Sequence, residues 1–218
     1  PNKPYYFFVR RKTEDISRYL EWKKINEIFP VNSVGIVTSR DTFVIDEDKL
    51  NLQRKLNLFS DLSIPNEVIE KSFDVKDTSA WKIEQARKNI SKNVDLSVIK
   101  EILYRPFDKR FIIYHEAVIE RMLLDIMRHM LKDNLGLLCK RQGKRKPYSY
   151  FFISDIICES CVFESAFANN TVFPLYLYID ENKKDLYTTE GDNKKPNISP
   201  KIYNGIENAY GQKISPED

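Results

Sequence analysis

Apolar positions fall into short runs and spaced stripes whose period changes repeatedly along the chain. Residues 5–10 (YYFFVR) read as a strand, and 15–29 carry Ile16, Tyr19, Leu20, Ile25 and Ile28 at helical spacing until Pro30 breaks the pattern. Two short strands, 33–38 and 42–46, flank a polar turn of Ser39, Arg40 and Asp41. Helices are predicted over 47–59, from Pro65 to 71, over 81–89 and over 96–103. Residues 110–115 (RFIIYH) read as a strand, with Phe107, Phe111 and Tyr114 assigned to the core. One long helix over 116–132 places Ile119, Met122, Leu123, Ile126, Met127 and Met130 on a single stripe. Its other side offers Arg121, Asp125, Arg128 and Lys132, which read as a solvated, salt-bridged face. Residues 135–139 and 148–153 read as paired strands, and 171–179 as a strand whose Pro174 suits an edge or a bulge. From 182 to 200 the chain is polar and punctuated by glycine and proline, before a short terminal helix over 202–210. These elements predict an α+β fold of mixed sheets, several packed helices and a basic hairpin. We divide the chain into a main domain at 1–180 and, at 181–218, a polar excursion with the terminal helix.

Composition narrows the class. A chain of 218 residues, 42% hydrophobic and 12% aromatic, can bury a substantial core and is not disordered. No apolar run reaches the length of a membrane span, so no membrane partner is expected. The chain starts at Pro1 with neither a basic leader nor a cleavage site, and we read it as a piece of a longer protein. Its three cysteines fit a reducing compartment, which makes the cytoplasm the default.

Charge changes the picture more. From 100 to 150 there are twelve Lys or Arg against six Asp or Glu, a net of +6 in a chain whose total is only +3. Such a focus suggests a polyanionic partner, most often nucleic acid. Its centre is 140–147 (KRQGKRKP), the tip of the predicted hairpin, although a solubilising loop would look the same. A two-stranded ribbon fits the major groove of duplex DNA, which makes Arg141 and Gln142 candidates for reading bases. Lys140, Lys144, Arg145 and Lys146 would then contact phosphates. Arg40 in its polar turn, or Arg105, Lys109 and Arg110, would supplement them.

Catalytic signals are weak. Cys158 and Cys161 form a CxxC pair without a second one, and buried thiols explain them better than zinc. Asp41, Asp46, Glu47, Asp48 and Lys49 have the acid and lysine content of metal-dependent nucleases, but acidic residues are also favoured where a helix begins. Neither GxxxxGK[ST] nor GxGxxG occurs. A nuclease domain and a module that docks onto other protein domains stay as alternatives to DNA recognition.

Six segments together resemble one family: NSVGIVTSRDTFVID (32–46), YRPFDKRFIIYH (104–115), RMLLDIMRHM (121–130), NLGLLCKRQ (134–142), FPLYLY (173–178) and KKPNISPKI (194–202). The chain resembles, over nearly its whole length, the C-terminal target recognition region of type ISP and related type IIG restriction and modification enzymes. That resemblance implies a sequence-specific, double-stranded-DNA recognition module of an adenine-specific (N6) DNA methyltransferase. It also implies that S-adenosylmethionine and the Asn-Pro-Pro-Tyr motif belong to a methyltransferase domain elsewhere in the parent. No such motif is present here, so no cofactor and no methyl transfer are expected of this piece, whereas the parent is expected to be an enzyme, with cleavage left open. A further helical segment is expected after Asp218.

Overall fold

Two four-stranded sheets carry the architecture of the computed structural model, which describes residues 16–92, 95–141, 150–163, 169–179 and 193–217. The expected strand at 5–10 and the basic tip at 142–149 lie outside these residues. The described residues open with two short helices, α1 (Ile16–Glu21) and α2 (Ile25–Ile28), where one longer helix was expected. After β1 (Ser33–Val34) comes a single helical turn, α3 (Asp41–Val44), and then β2 (Ile45–Asp46). The strand expected over 42–46 is therefore mostly helical, and it sinks Phe43 between Phe59 and Phe73 at ring separations of 4.5 and 4.8 Å.

Helices α4 (Lys49–Ser60), α5 (Asn66–Phe73) and α6 (Ile83–Ser91) follow the expected stripes. The Asp48 carboxylate caps α4 by accepting from the Leu50 amide at 2.8 Å. The helix expected over 96–103 is instead a 3-10 turn (Leu96–Val98) leading into β3 (Ile99–Arg105). Pairing decides this: β3 lies antiparallel to β4 (Asp108–Ile113), from Ile99 opposite Ile113 to Arg105 opposite Asp108. Tertiary pairing outweighs local helical spacing in a segment whose Ile99, Ile102 and Leu103 are all buried.

The long helix expected over 116–132 is also shorter. Only α7 (Leu124–Met130) is helical, because Arg121 exchanges backbone hydrogen bonds of 3.0 and 3.1 Å with Val37 and Leu123 adopts a left-handed conformation. Ile119, Met127 and Met130 still enter the core. The two strands expected to flank the basic tip do pair, β5 (Gly136–Lys140) lying antiparallel to β6 (Phe151–Ser154). After β7 (Ile157–Cys158) come β8 (Asn170–Pro174) and β9 (Tyr176–Tyr178). Pro174 closes an interior strand, not an edge one, since β8 lies between β1 and β5. Within the polar stretch, β10 (Lys194–Pro196) pairs with β9, and α8 (Pro200–Tyr210) follows.

The sheet orders are β1-β8-β5-β6 and β2-β4-β3-β7, and one core cluster runs through both. The joint between them is a backbone weave around 157–160. Ile36 N–H donates to Cys158 O, Ser160 N–H to Ile36 O, Glu159 N–H to Leu103 O and Asn170 N–H to Ser160 O, all within 2.8–3.0 Å. Gly35 is what lets these strands close: a Cβ there would sit 2.3 Å from the Glu159 carbonyl oxygen.

Candidate nucleic-acid interface

The β3–β4 hairpin ends in a Pro106–Phe107 turn, and its flanks hold three of the basic candidates. The Arg105 and Arg110 guanidinium carbons both lie over the ring of Tyr104, at 3.9 and 4.4 Å. Tyr104 is itself fixed, because its hydroxyl donates to the Asp41 carboxylate at 3.0 Å. Burial, with Asp41 adding to it, raises the Tyr104 pKa, so the phenol stays protonated. Arg110 is gripped by Asp108 through Nε and Nη2 and reaches Glu47 at 3.3 Å, and the Asp108 contact raises its already high pKa. Arg105 pairs with Glu159 at 3.2 Å, and Lys109 pairs with Asp155 at 2.9 Å.

Glu159 went unnoticed in the sequence, yet it ties this cluster to the basic hairpin. It is only 7% exposed and accepts from the Ser160 hydroxyl, the Cys161 amide and Arg105. Burial raises its pKa although these donors oppose the rise. Asn170, also buried, donates to the Glu159 carbonyl at 3.2 Å and accepts from the Val162 amide at 2.8 Å. Asn170 in turn faces Lys140 across β5 and β8. A continuous path of contacts therefore runs from the tyrosine-stacked arginines to the base of the hairpin. The one available signal was a lone acid set in an otherwise uncharged run, ICESCVF.

Lys140 departs from its expected role. It is 1% exposed, with its ammonium 5.9 Å from the centroid of the Tyr150 ring, so it supports the hairpin from inside and does not present itself to a phosphate. The inward face of β5, alternating with the half-exposed Leu137 and Cys139, dictates this. Arg141, one residue on, is exposed at the start of the tip. Gln142, Lys144, Arg145 and Lys146 fall outside the described residues.

Arg40 is held apart from the others. Its guanidinium stacks on Trp81 at 3.9 Å and donates to the Val118 carbonyl at 3.1 Å, and burial lowers its pKa while Glu120 opposes the fall. The acidic candidates are likewise committed one by one. Asp41 holds Tyr104 and Thr38, Glu47 meets Arg110, and Asp48 caps α4. Asp46 binds Lys55 at 2.8 Å, and although burial alone would raise its pKa, Lys55 and the Asp48 amide bring it lower. Among the described residues no three His, Cys, Asp or Glu side chains gather as metal ligands. Cys158 is fully buried with its pKa raised by burial and then by Glu159, whereas Cys161 is half-buried.

The family model described as the Type ISP C-terminal specificity domain matches residues 27–218. No curated protein shows significant similarity to the chain. Among solved structures, a DrdV–DNA complex determined by cryoEM is 23% identical with a TM-score of 0.62, over 88% of this chain and 18% of that one. The ATP-dependent Type ISP restriction-modification enzyme LlaBIII, bound to DNA, is 20% identical with a TM-score of 0.60, over 90% of this chain and 13% of that one. A nuclease-deletion mutant of the Type ISP enzyme LlaGI, in complex with a DNA substrate mimic, is 19% identical with a TM-score of 0.53, over 88% of this chain and 17% of that one. At these identities the likeness is one of fold, and the chain spans less than a fifth of each relative.

Proposed function

Because the chain belongs to the Type ISP C-terminal specificity domains, whose family model spans residues 27–218, we propose that it selects the duplex DNA sequence on which a larger restriction-modification enzyme acts. The family match carries this reading, and the fold neighbours whose structures contain DNA support it. The geometry adds a surface suited to the task. One hairpin offers exposed Arg141 next to the basic tip, and a second offers two arginines set on one tyrosine. Guanidinium groups held in fixed planes lose little freedom when they bind base edges or phosphates.

Modification of adenine at N6 and the S-adenosylmethionine it consumes fall, in this reading, to a methyltransferase domain of the same parent in the cytoplasm. Other residues of the proposed interface are Gln142, Lys144, Arg145 and Lys146 at the tip, and Lys109 beside the arginine pair.

Selection of bound molecules from a random duplex pool at two salt concentrations, followed by sequencing, tests the proposal. Enrichment of one short motif that survives the higher salt is the expected result. Salt-sensitive binding with no motif would leave a basic surface without recognition, and would overturn it.

A further inference from the structure

Phe107 occupies a position that ordinary folding energetics would give to another residue. The two-residue loop between Arg105 and Asp108 puts Pro106 first and Phe107 second, with Phe107 at φ 65°. That second position, in a left-handed conformation after a proline, is the glycine site of a type II turn, and a β-carbon there is strained. Burial of the side chain does not compensate, since Phe107 is 89% exposed, far more than Phe111 or Tyr114 of the same segment. An outlier that local sterics oppose and packing does not reward points to a role in binding.

The ring nonetheless has an aromatic neighbour. Phe152 of β6 meets it edge-on, with centroids 5.0 Å apart and planes at 79°, beside a shallow groove of about 450 Å³ that Leu103 and Ile153 also line. Among the described residues, the cations flanking this tip are matched: Arg105 by Glu159, Lys109 by Asp155, and Arg110 by Asp108 and Glu47. A protruding apolar ring within a charge-balanced rim is unsuited to phosphates. It is suited to the interior of a base stack, into which apolar wedges are inserted by proteins that unstack and kink duplexes.

We infer that Phe107 enters the bound duplex between neighbouring base pairs as a wedge, with Phe152 as its brace and the Tyr104-stacked arginines behind it. The inference rests on the proposed duplex recognition and adds an unstacked step to it.

The test uses short duplexes carrying the motif enriched from the random pool, with 2-aminopurine walked through each position. With the wild-type chain, fluorescence rises at one step and not at its neighbours. Phe107→Gly abolishes that rise and weakens binding at least about tenfold, in line with the loss of one aromatic–base contact. Phe107→Leu keeps most of both. The glycine variant also leaves the thermal midpoint unchanged or higher, because it relieves the turn. Unchanged affinity and fluorescence in Phe107→Gly would overturn the wedge while leaving duplex recognition standing. So would a variant that binds DNA normally but no longer associates with the rest of the parent enzyme, which would make this tip a protein contact. Failure of the wild-type chain to bind any duplex would overturn both readings.

Discussion

Gly35 and His129 show how single residues set this fold and its response to pH. Adding one methyl group at Gly35 drives it into the backbone of Glu159 and Ser160, with Ser160 N only 2.7 Å from the new Cβ. Backbone cannot rotate away as a side chain would, and the strands involved are those that join the two sheets. Gly35→Ala should therefore cost at least the ~1–3 kcal/mol typical of overpacking, read as a lower urea midpoint, and an unchanged midpoint would mean that the joint is looser than the structure shows. His129 is 3% exposed, and its Nδ1 accepts the Tyr178 amide at 2.9 Å. Burial, with Arg128 and Lys132 adding to it, pushes its pKa down to about 4. The folded protein thus keeps a neutral imidazole while the unfolded chain takes up a proton near the ordinary value of about 6.5. The stabilisation is complete above that value and is lost as pH falls toward about 4, amounting to about 3 kcal/mol if the whole shift is realised. His129→Asn keeps an acceptor near the Nδ1 position but cannot titrate. Urea midpoints measured from pH 7 to pH 4 should diverge, with wild type falling more steeply, and parallel curves would remove His129 from the account.

Elements are held by polar clamps as much as by apolar stripes. Arg87 of α6 is 2% exposed and lies across the end of α4, where its Nε donates to the Phe59 carbonyl at 2.9 Å and its other nitrogens reach Asp61 O and Asn66. The Phe59 and Asp61 carbonyls are ones that a helix C-terminus leaves without intrahelical partners, and a cation there also favours the helix dipole. Arg87→Met preserves the aliphatic stem but strands those acceptors, with an expected loss of about 3 kcal/mol in denaturant unfolding. A loss no larger than that of a surface arginine would show that water replaces it. Asn134 works similarly between α7 and β9, accepting from the Leu135 and Tyr176 amides and donating to the His129 and Tyr176 carbonyls. The stripes of α4, α5, α6 and α8 and the pairing of β5 with β6 were legible in the sequence, because each follows from local periodicity or a turn. β3 was not, since Ile99, Ile102 and Leu103 suit either a helix or a strand until β4 and β7 flank them. The same holds for the site. Arg105, Arg110 and Arg141 announce themselves by charge, but the burial of Lys140 and the placement of Glu159 and Asn170 depend on how two sheets meet. Phe107 was assigned to the core on aromaticity alone, and its turn geometry reverses that assignment.

At the scale of the whole molecule, the excess of +6 over 100–150 overstates the charge available to DNA. Arg105, Lys109 and Arg110 each face an acid, and Lys140 is buried. Arg141 differs: it is exposed, and among the described residues it makes no ion pair. The salt dependence of duplex binding separates these classes, because each phosphate neutralised contributes about 0.9 to the slope of log K against log salt. A cation already neutralised by a neighbouring acid contributes less, since that acid stays beside it when the phosphate arrives. Arg141→Ala should therefore lower the slope by close to one phosphate, whereas Lys109→Ala should lower it by clearly less. If Arg141 reads a base edge, its loss will also flatten the preference among sequences in the selected pool, at a cost of about 1–3 kcal/mol for the favoured motif. A slope reduced with preference intact would make Arg141 a phosphate contact, and would shift the reading of bases to Gln142 and the remainder of the tip. Equal slopes for wild type and both variants would place the duplex on another face of the domain.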